Sequence, residues 1–235
     1  MRIVKFCDRS HNPLWSDTRI QLCSLYYYRS IDNEFLCDID EGMTSRTLHP
    51  PTPVVVTGDE LGRLTGLSIG GHGTIKISGR AVRTTNPIPN AYVFCTSSAD
   101  NPTSADASLL GYDACYVIKD PAQFSGLMAD ELHKQITPQG KILSFHGPVS
   151  YQDEKGLDYS TLPEFVRSHG DVDVTHYFLK RRTSLQNSRR CYADEREYRF
   201  VFIPVDNGTR PLPLNLEKVY LASTRFLEKA LLDAV

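Results

Sequence analysis

Apolar and polar positions are distributed unevenly along the chain. Between residues 91 and 222 sharp apolar runs alternate with polar breaks, and each run predicts an element. Ala91-Tyr92-Val93-Phe94-Cys95 predicts a strand running into polar Thr96-Ser97-Ser98, and Ala114-Cys115-Tyr116-Val117-Ile118 predicts a second. Asp120 and Pro121 mark a helix start, with aspartate placed to cap and proline at the first helical position. Phe124, Leu127, Met128, Leu132 and Ile136 then recur at helical spacing as one apolar stripe. Residues 141–151 predict another strand, and 162–169 and 172–182 predict two helices. Tyr198-Arg199-Phe200-Val201-Phe202-Ile203 predicts a strong strand and Lys218-Val219-Tyr220-Leu221-Ala222 a further one. Residues 224–234 predict a closing helix capped by Ser223 or Thr224.

The first ninety residues are less regular. Leu25-Tyr26-Tyr27-Tyr28-Arg29 is a short β-type run rich in tyrosine. Ile31, Phe35, Leu36 and Ile39 then follow helical spacing, with Gly42 placed to cap the end. Residues 44–90 carry Pro50-Pro51-Thr52-Pro53 and a Gly71-His72-Gly73 turn, and predict short strands and loops, an insertion or lid on the core. Gly71-His72-Gly73 lacks the G-x-G-x-x-G spacing and no helix follows it, so a hairpin turn is expected rather than a phosphate loop. The sum is one α+β domain spanning 1–235, with short, mostly antiparallel strands and segregated helices.

Composition narrows the class further. The 235 residues are 40% hydrophobic and 23% charged, which excludes wholesale disorder, a collagen-like fibre and a coiled coil. The net charge of −2 gives no global field for coating nucleic acid or anionic membrane, so any such contact must use a local patch. No apolar run approaches the roughly 20 residues of a spanning helix, so no membrane partner is expected. The start of the chain shows no secretory pattern. The six cysteines are widely spaced with no C-x-x-C pair, which predicts reduced, buried thiols, no zinc site and a cytoplasmic setting. Asn207-Gly208-Thr209 is then a turn rather than a glycosylation site.

Three constellations carry candidate chemistry. Arg29 follows the tyrosine run, Thr96-Ser97-Ser98 follows a buried strand, and Asp194-Glu195-Arg196-Glu197 precedes one. Extended backbone would put Glu195 and Glu197 on one face, where two carboxylates repel unless cations, ligand hydroxyls or a metal compensate. Each has a bland alternative: a solvated arginine, a turn, and a strand end paired with nearby arginines. Their order along the chain is more informative than any one of them.

That order, strand-Arg, strand-hydroxyl cluster, Glu-x-Glu-strand, resembles the R-S-E clade of ADP-ribosyltransferases. The resemblance implies an ADP-ribosyltransferase-like core of short, mostly antiparallel strands with flanking helices, and NAD as substrate. It implies that Arg29 holds the NAD phosphates, with Tyr28 beside it. It implies that Thr96 and Ser97 belong to the Ser-Thr-Ser element, in the register Cys95-Thr96-Ser97 or Thr96-Ser97-Ser98. Glu197 is then the catalytic carboxylate, and Glu195 orients or deprotonates the nucleophile. Tyr192, in the loop before the motif, is placed to touch the target. Members of the clade act as bacterial toxins and in phage defence, which implies a possible antitoxin or inhibitor partner. The C-terminal part, with Lys180 and Glu195-Arg196-Glu197-Tyr198-Arg199, also resembles a bacterial family marked by Glu-x-Glu-Tyr-Arg.

The chemistry fits these residue types. Cleaving the nicotinamide–ribose bond develops positive charge on the ribose, which a nearby carboxylate stabilises. An arginine fork suits the pyrophosphate. Residues 180–199 hold seven basic and three acidic side chains, Arg189 and Arg190 among them, which favours RNA or DNA slightly over protein as the target. Two alternatives stay open. One is a metal-dependent nuclease using Asp153, Glu154, Asp194, Glu195 and Glu197, although no Asp…Glu-x-Lys arrangement is present. The other is a non-enzymatic module that binds nucleic acid or a partner in defence.

Overall fold

The computed structural model describes residues 2–14, 19–30, 43–49, 52–65, 73–77, 82–100, 102–109, 111–136, 140–152, 156–159, 178–182, 196–221 and 232–234. The chain divides into two units. The first is Met1–Gly42, Pro89–Asp153 and Phe178–Val235; the second is Met43–Ile88 and Glu154–Tyr177. The described strands are β1 (Arg2–Cys7), β2 (Ile20–Ser24), β3 (Met43–Leu48), β4 (Val54–Thr57), β5 (Thr74–Ile77), β6 (Val82–Pro87), β7 (Tyr92–Ala99), β8 (Ala114–Ile118), β9 (Lys141–Pro148), β10 (Ser150–Gln152), β11 (Gly156–Tyr159), β12 (Lys180–Arg182), β13 (Glu197–Val205), β14 (Lys218–Leu221) and β15 (Leu232–Ala234). The helices are α1 (Tyr27–Ser30), α2 (Gly58–Thr65), α3 (Ser104–Leu109) and α4 (Pro121–Ile136). The architecture is α+β and rich in strands.

In the first unit, among the described residues, eight strands form one sheet. β14, β2, β7, β1, β8 and β15 lie in that order, while β13 pairs with β7 and carries β9 on its far side. Every pairing in this sheet is antiparallel. β7 is the hub. One of its edges pairs with β13 from Tyr92 to Ser97. The other edge is shared: β2 takes Tyr92 and Val93, and β1 takes Ser97, Ser98 and Ala99. Between these two partners the Cys95 carbonyl accepts a hydrogen bond from Lys5 Nζ at 2.8 Å. A side-chain ammonium thus meets a backbone acceptor where the ladder divides.

Strand alternation separates the residues of β7 and β13 onto two faces. Tyr92, Phe94, Tyr198, Phe200 and Phe202 point to one face and join the main hydrophobic core with Phe124, Met128 and Leu132 of α4. The Phe124 ring centroid is 5.0 Å from that of Phe200 and 5.7 Å from that of Phe94. Burying such side chains stabilises the fold by about 1.5–3 kcal/mol each. Asp120 Oδ1 accepts from the Gln123 amide at 2.9 Å, the cap expected at the start of α4.

Three elements differ from the sequence expectation. The tyrosine run is not a strand: β2 ends at Ser24, and Tyr27–Ser30 forms a helical turn. Ser24 Oγ accepts from the Tyr27 amide at 3.1 Å, and Asn90 Oδ1 accepts from the Tyr26 amide at 3.1 Å. These side-chain acceptors close the turn where β propensity alone favours extension. Lys180–Arg182, expected as a helix end, is a strand paired in parallel with β10. Leu232–Ala234, expected in the closing helix, is a strand on the edge of β8. In both, an open strand edge supplies backbone partners that local helical spacing cannot outweigh. The helices expected at 31–39 and 162–169, and the first part of that at 172–182, lie outside the described residues.

The second unit, described by itself, holds β3 between a parallel β11 and an antiparallel β6. β4 and β5 pair antiparallel. The α2 helix starts on a capping box: the Thr57 hydroxyl accepts from the Glu60 amide at 3.2 Å, and Glu60 Oε2 accepts from the Thr57 amide at 2.8 Å. α2 lies between the paired β4 and β5; of the turn expected at Gly71-His72-Gly73, Gly71 and His72 lie outside the described residues. The stretch read as an insertion at about 44–90 overlaps this unit, which also draws on Glu154–Tyr177. Among the described residues, no helix is long and apolar enough to cross a membrane.

Candidate functional site

The second face of β7 and β13 is aliphatic at Val93, Val201 and Ile203 and turns polar toward the start of β13. Glu197 and Arg199 point to it from β13, and Cys95 and Ser97 from β7. Ser97 stands directly opposite Glu197, and Cys95 opposite Arg199. Glu197 is only 5% exposed and Arg199 2%. They form a two-point pair: Arg199 Nε donates to Glu197 Oε1 at 2.7 Å, and Nη2 to Oε2 at 3.3 Å. Arg199 Nη1 donates to the Phe178 carbonyl at 3.1 Å. The planar fork is thereby fixed on both sides.

The surroundings of the pair are half-buried and bonded. The Glu197 amide donates to Tyr151 Oη at 2.9 Å, and the Glu197 carbonyl accepts from the Val149 amide at 2.9 Å. The Cys95 thiol hydrogen-bonds the Glu197 carboxylate, and burial, reinforced by that negative charge, holds the thiol far above its ordinary range. Cys95 is therefore a protonated donor and not a nucleophile. Tyr28 reaches the same cluster from α1. Burial raises its phenol well above the usual value, with Cys95, Cys23 and Glu197 pushing the same way and a hydrogen bond to Cys23. Gln21 Nε2 donates to Cys23 Sγ at 3.0 Å.

The structure thus brings Tyr28, Cys95, Ser97 and Glu197 to one face. Thr96 is elsewhere: it faces the aromatic core, and its hydroxyl donates to the Tyr198 carbonyl at 2.7 Å. Ser98 closes the strand end, its amide at 2.8 Å and its hydroxyl at 3.1 Å from the Arg196 carbonyl. Arg29, next to Tyr28 on α1, is half-buried, with its guanidinium 4.9 Å from the Tyr26 ring centroid. Arg196 adopts φ 43°. That left-handed residue ends the extended backbone before Glu197. Glu195, Tyr192, Arg189 and Arg190 lie outside the described residues, as do Asp153, Glu154 and Asp194 of the nuclease alternative. Among the described residues, no group of three or more His, Cys, Asp or Glu side chains is placed to hold a metal ion.

The sequence offered Arg199 among several arginines that could pair with this strand end, on the expectation of an exposed pair; the Glu-x-Arg spacing on a strand puts Arg199 on the face of Glu197, and the pair is buried. Cys23, Tyr151 and the Phe178 carbonyl carry no local signal, because only tertiary pairing brings them near. Compared with family models, with curated proteins and with solved structures, the chain finds no match.

Proposed function

We propose that the first unit is an ADP-ribosyltransferase-like domain that uses NAD to modify a macromolecular target, with RNA or DNA favoured over protein. The observation that supports this reading is the meeting of three distant segments. The turn at Tyr27–Ser30, the hydroxyl-bearing end of β7 and the first residue of β13 adjoin one another around Glu197. In this reading, Glu197 stabilises the positive ribose as the nicotinamide–ribose bond breaks, and nicotinamide leaves with the bonding electron pair. The acceptor's lone pair forms the new bond to ribose, and Glu195 takes its proton. Arg29 pairs with the pyrophosphate, and the basic stretch 180–199 favours an anionic acceptor. Toxin or phage-defence action, restrained by an inhibitor protein, is the setting that fits.

A second reading rests on the Glu197–Arg199 pair. A bidentate, buried pair whose guanidinium is also tied to the Phe178 carbonyl is equally the arrangement of a structural brace. In that case the domain is a non-enzymatic binding module.

The test is nicotinamide release from NAD in EDTA, with cellular RNA, DNA or protein added in turn. Glu197→Gln takes the carboxylate out of a buried ion pair, so it is compared with half-buried Arg29→Ala and with an Arg199→Met/Glu197→Gln double variant, each checked for fold by circular dichroism. The transferase reading expects release by the wild type and a loss of about 10²–10³-fold in the folded double variant. No release by the folded wild type in any fraction would support the binding module instead.

A further inference from the structure

The chain passes between the two units at four places, Gly42–Met43, Ile88–Pro89, Asp153–Glu154 and Tyr177–Phe178. The last two of these crossings meet at the Glu197–Arg199 pair. Next to the outgoing crossing, the Val149 amide donates to the Glu197 carbonyl and Tyr151 Oη accepts from the Glu197 amide, both at 2.9 Å. At the returning crossing, Phe178 is the first residue back in the first unit, and its carbonyl accepts from Arg199 Nη1 at 3.1 Å. The two crossings are also fastened to each other. β10 pairs in parallel with β12, and the Ser150 amide donates to the Leu179 carbonyl at 2.7 Å. Only Asp153, Glu154 and Lys155 separate β10 from β11, which is laddered to β3 inside the second unit. A tether that short passes a displacement from one end to the other. Phe178 itself is fully buried, with its ring centroid 5.7 Å from that of Phe145 on β9. Packed seats of this kind are occupied or vacated rather than gradually deformed.

We propose that Arg199 is a clasp on the Glu197 carboxylate, held shut by the second unit through the crossing at Phe178 and released when that hold slackens. Shut, the guanidinium takes both carboxylate oxygens, at 2.7 and 3.3 Å. A carboxylate so neutralised is a poor partner for the positive charge of a breaking ribose bond. Arg199 has two anchors, the Glu197 carboxylate and the Phe178 carbonyl, and the second depends on the crossing. In a buried setting the loss of that anchor is felt more strongly than in water. The guanidinium then leaves its fixed plane, and Glu197 is freed to face a substrate. The second unit is in this way the regulatory part of the chain, and its occupation by the macromolecular target is read at Glu197. What release does to turnover rests on the transferase reading, whereas the clasp stands on the bonds of Glu197, Arg199 and Phe178.

The experiment follows hydrogen exchange at Arg199 Nε by nitrogen NMR in the full chain, the signal being assigned with Arg199→Lys. A Gly-Gly insertion between Tyr177 and Phe178 slackens the crossing. The same insertion after exposed Gly111 is the control, and thermal unfolding checks the fold of both. The crossing insertion should speed Nε exchange about tenfold, and the control should leave it unchanged. Phe178→Leu keeps the seat apolar but loosens it against Phe145, and should speed exchange to a smaller degree, so a second variant stands if the insertion does not fold. In nicotinamide release without an acceptor, the crossing insertion should raise turnover several-fold. Unchanged exchange in both the crossing insertion and Phe178→Leu overturns the clasp. Faster exchange with slower Glu197-dependent release overturns it too, because Arg199 would then be a brace. Faster exchange with no nicotinamide release from any folded protein would sustain the clasp and overturn the transferase reading alone.

Discussion

The two faces of β7 and β13 come from alternate residues of the same strands, yet different forces hold them. Tyr92, Phe94, Tyr198, Phe200 and Phe202 face α4 and cohere by apolar burial. Cys95, Ser97, Glu197 and Arg199 face the other way and cohere by charge and hydrogen bonds. Apolar burial is tolerant, since each side chain touches many others and none depends on one partner. The polar face is brittle, because every group there needs a particular partner in a particular place. A strand built this way can hold a reactive or recognising surface fixed against a core that does not change.

The largest expected effect breaks that contrast directly. Phe200→Ala should cost about 3–5 kcal/mol by cavity formation. Arg199→Met should cost about 3–5 kcal/mol as well, because it takes the guanidinium out of a buried ion pair. The two differ in the double variants. Glu197→Leu with Arg199→Met should recover most of the loss, since both charges are then gone. Phe200→Ala with Phe94→Ala should recover nothing. Urea unfolding of the wild type, the four single variants and the two double variants gives the coupling energies, and a double variant at the ion pair as unstable as Arg199→Met alone would show that the polar face does not depend on the pair.

The aromatic face was legible in the sequence and the polar face only in part. The strands at 114–118 and 198–203 and the Asp120-capped helix follow from periodicity and capping, which act over a few residues. The order Arg29, Thr96-Ser97, Glu197 pointed to the region where these segments meet. It did not reveal that Thr96 faces the core. A one-residue register decides that, and the hydroxyl triplet leaves the register open. Nor did it reveal the turn at Tyr27–Ser30, because the side-chain acceptors Ser24 and Asn90 override a β-forming tyrosine run. Strand edges that attract distant partners, as β8 does Leu232–Ala234, leave no local trace.

A smaller effect sharpens the contrast through pH. The aromatic face carries a titratable pair: His146 Nδ1 lies 2.6 Å from Tyr198 Oη, and the imidazole lies 5.5 Å from the Phe200 ring. Burial lowers the His146 pKa below 6.5, with Asp120 opposing. The unfolded chain therefore binds the proton more readily than the native one. Its contribution is complete above pH 6.5 and declines as pH falls through the native value. Thermal unfolding between pH 8 and 5 should show wild type losing stability on acidification more steeply than His146→Gln. Parallel curves would mean that the aromatic face carries no titrating group that matters to stability.

The smallest effect concerns the residue where the polar face ends. Arg196 is exposed, sits at φ 43°, and offers its carbonyl to both the amide and the hydroxyl of Ser98. A side chain in left-handed backbone costs about 1–2 kcal/mol, which glycine avoids. Glycine also enlarges the unfolded ensemble, which offsets part of the gain. Arg196→Gly should therefore stabilise the domain by at most about 1 kcal/mol, and Arg196→Ala should give no such gain because it keeps the strain. The same substitution separates stability from function. If the exposed guanidinium beside Glu197 serves an anionic target, Arg196→Gly should weaken RNA or DNA binding while raising the unfolding temperature. A rise in temperature with unchanged nucleic-acid binding would assign Arg196 to the turn alone and leave recognition to other cations.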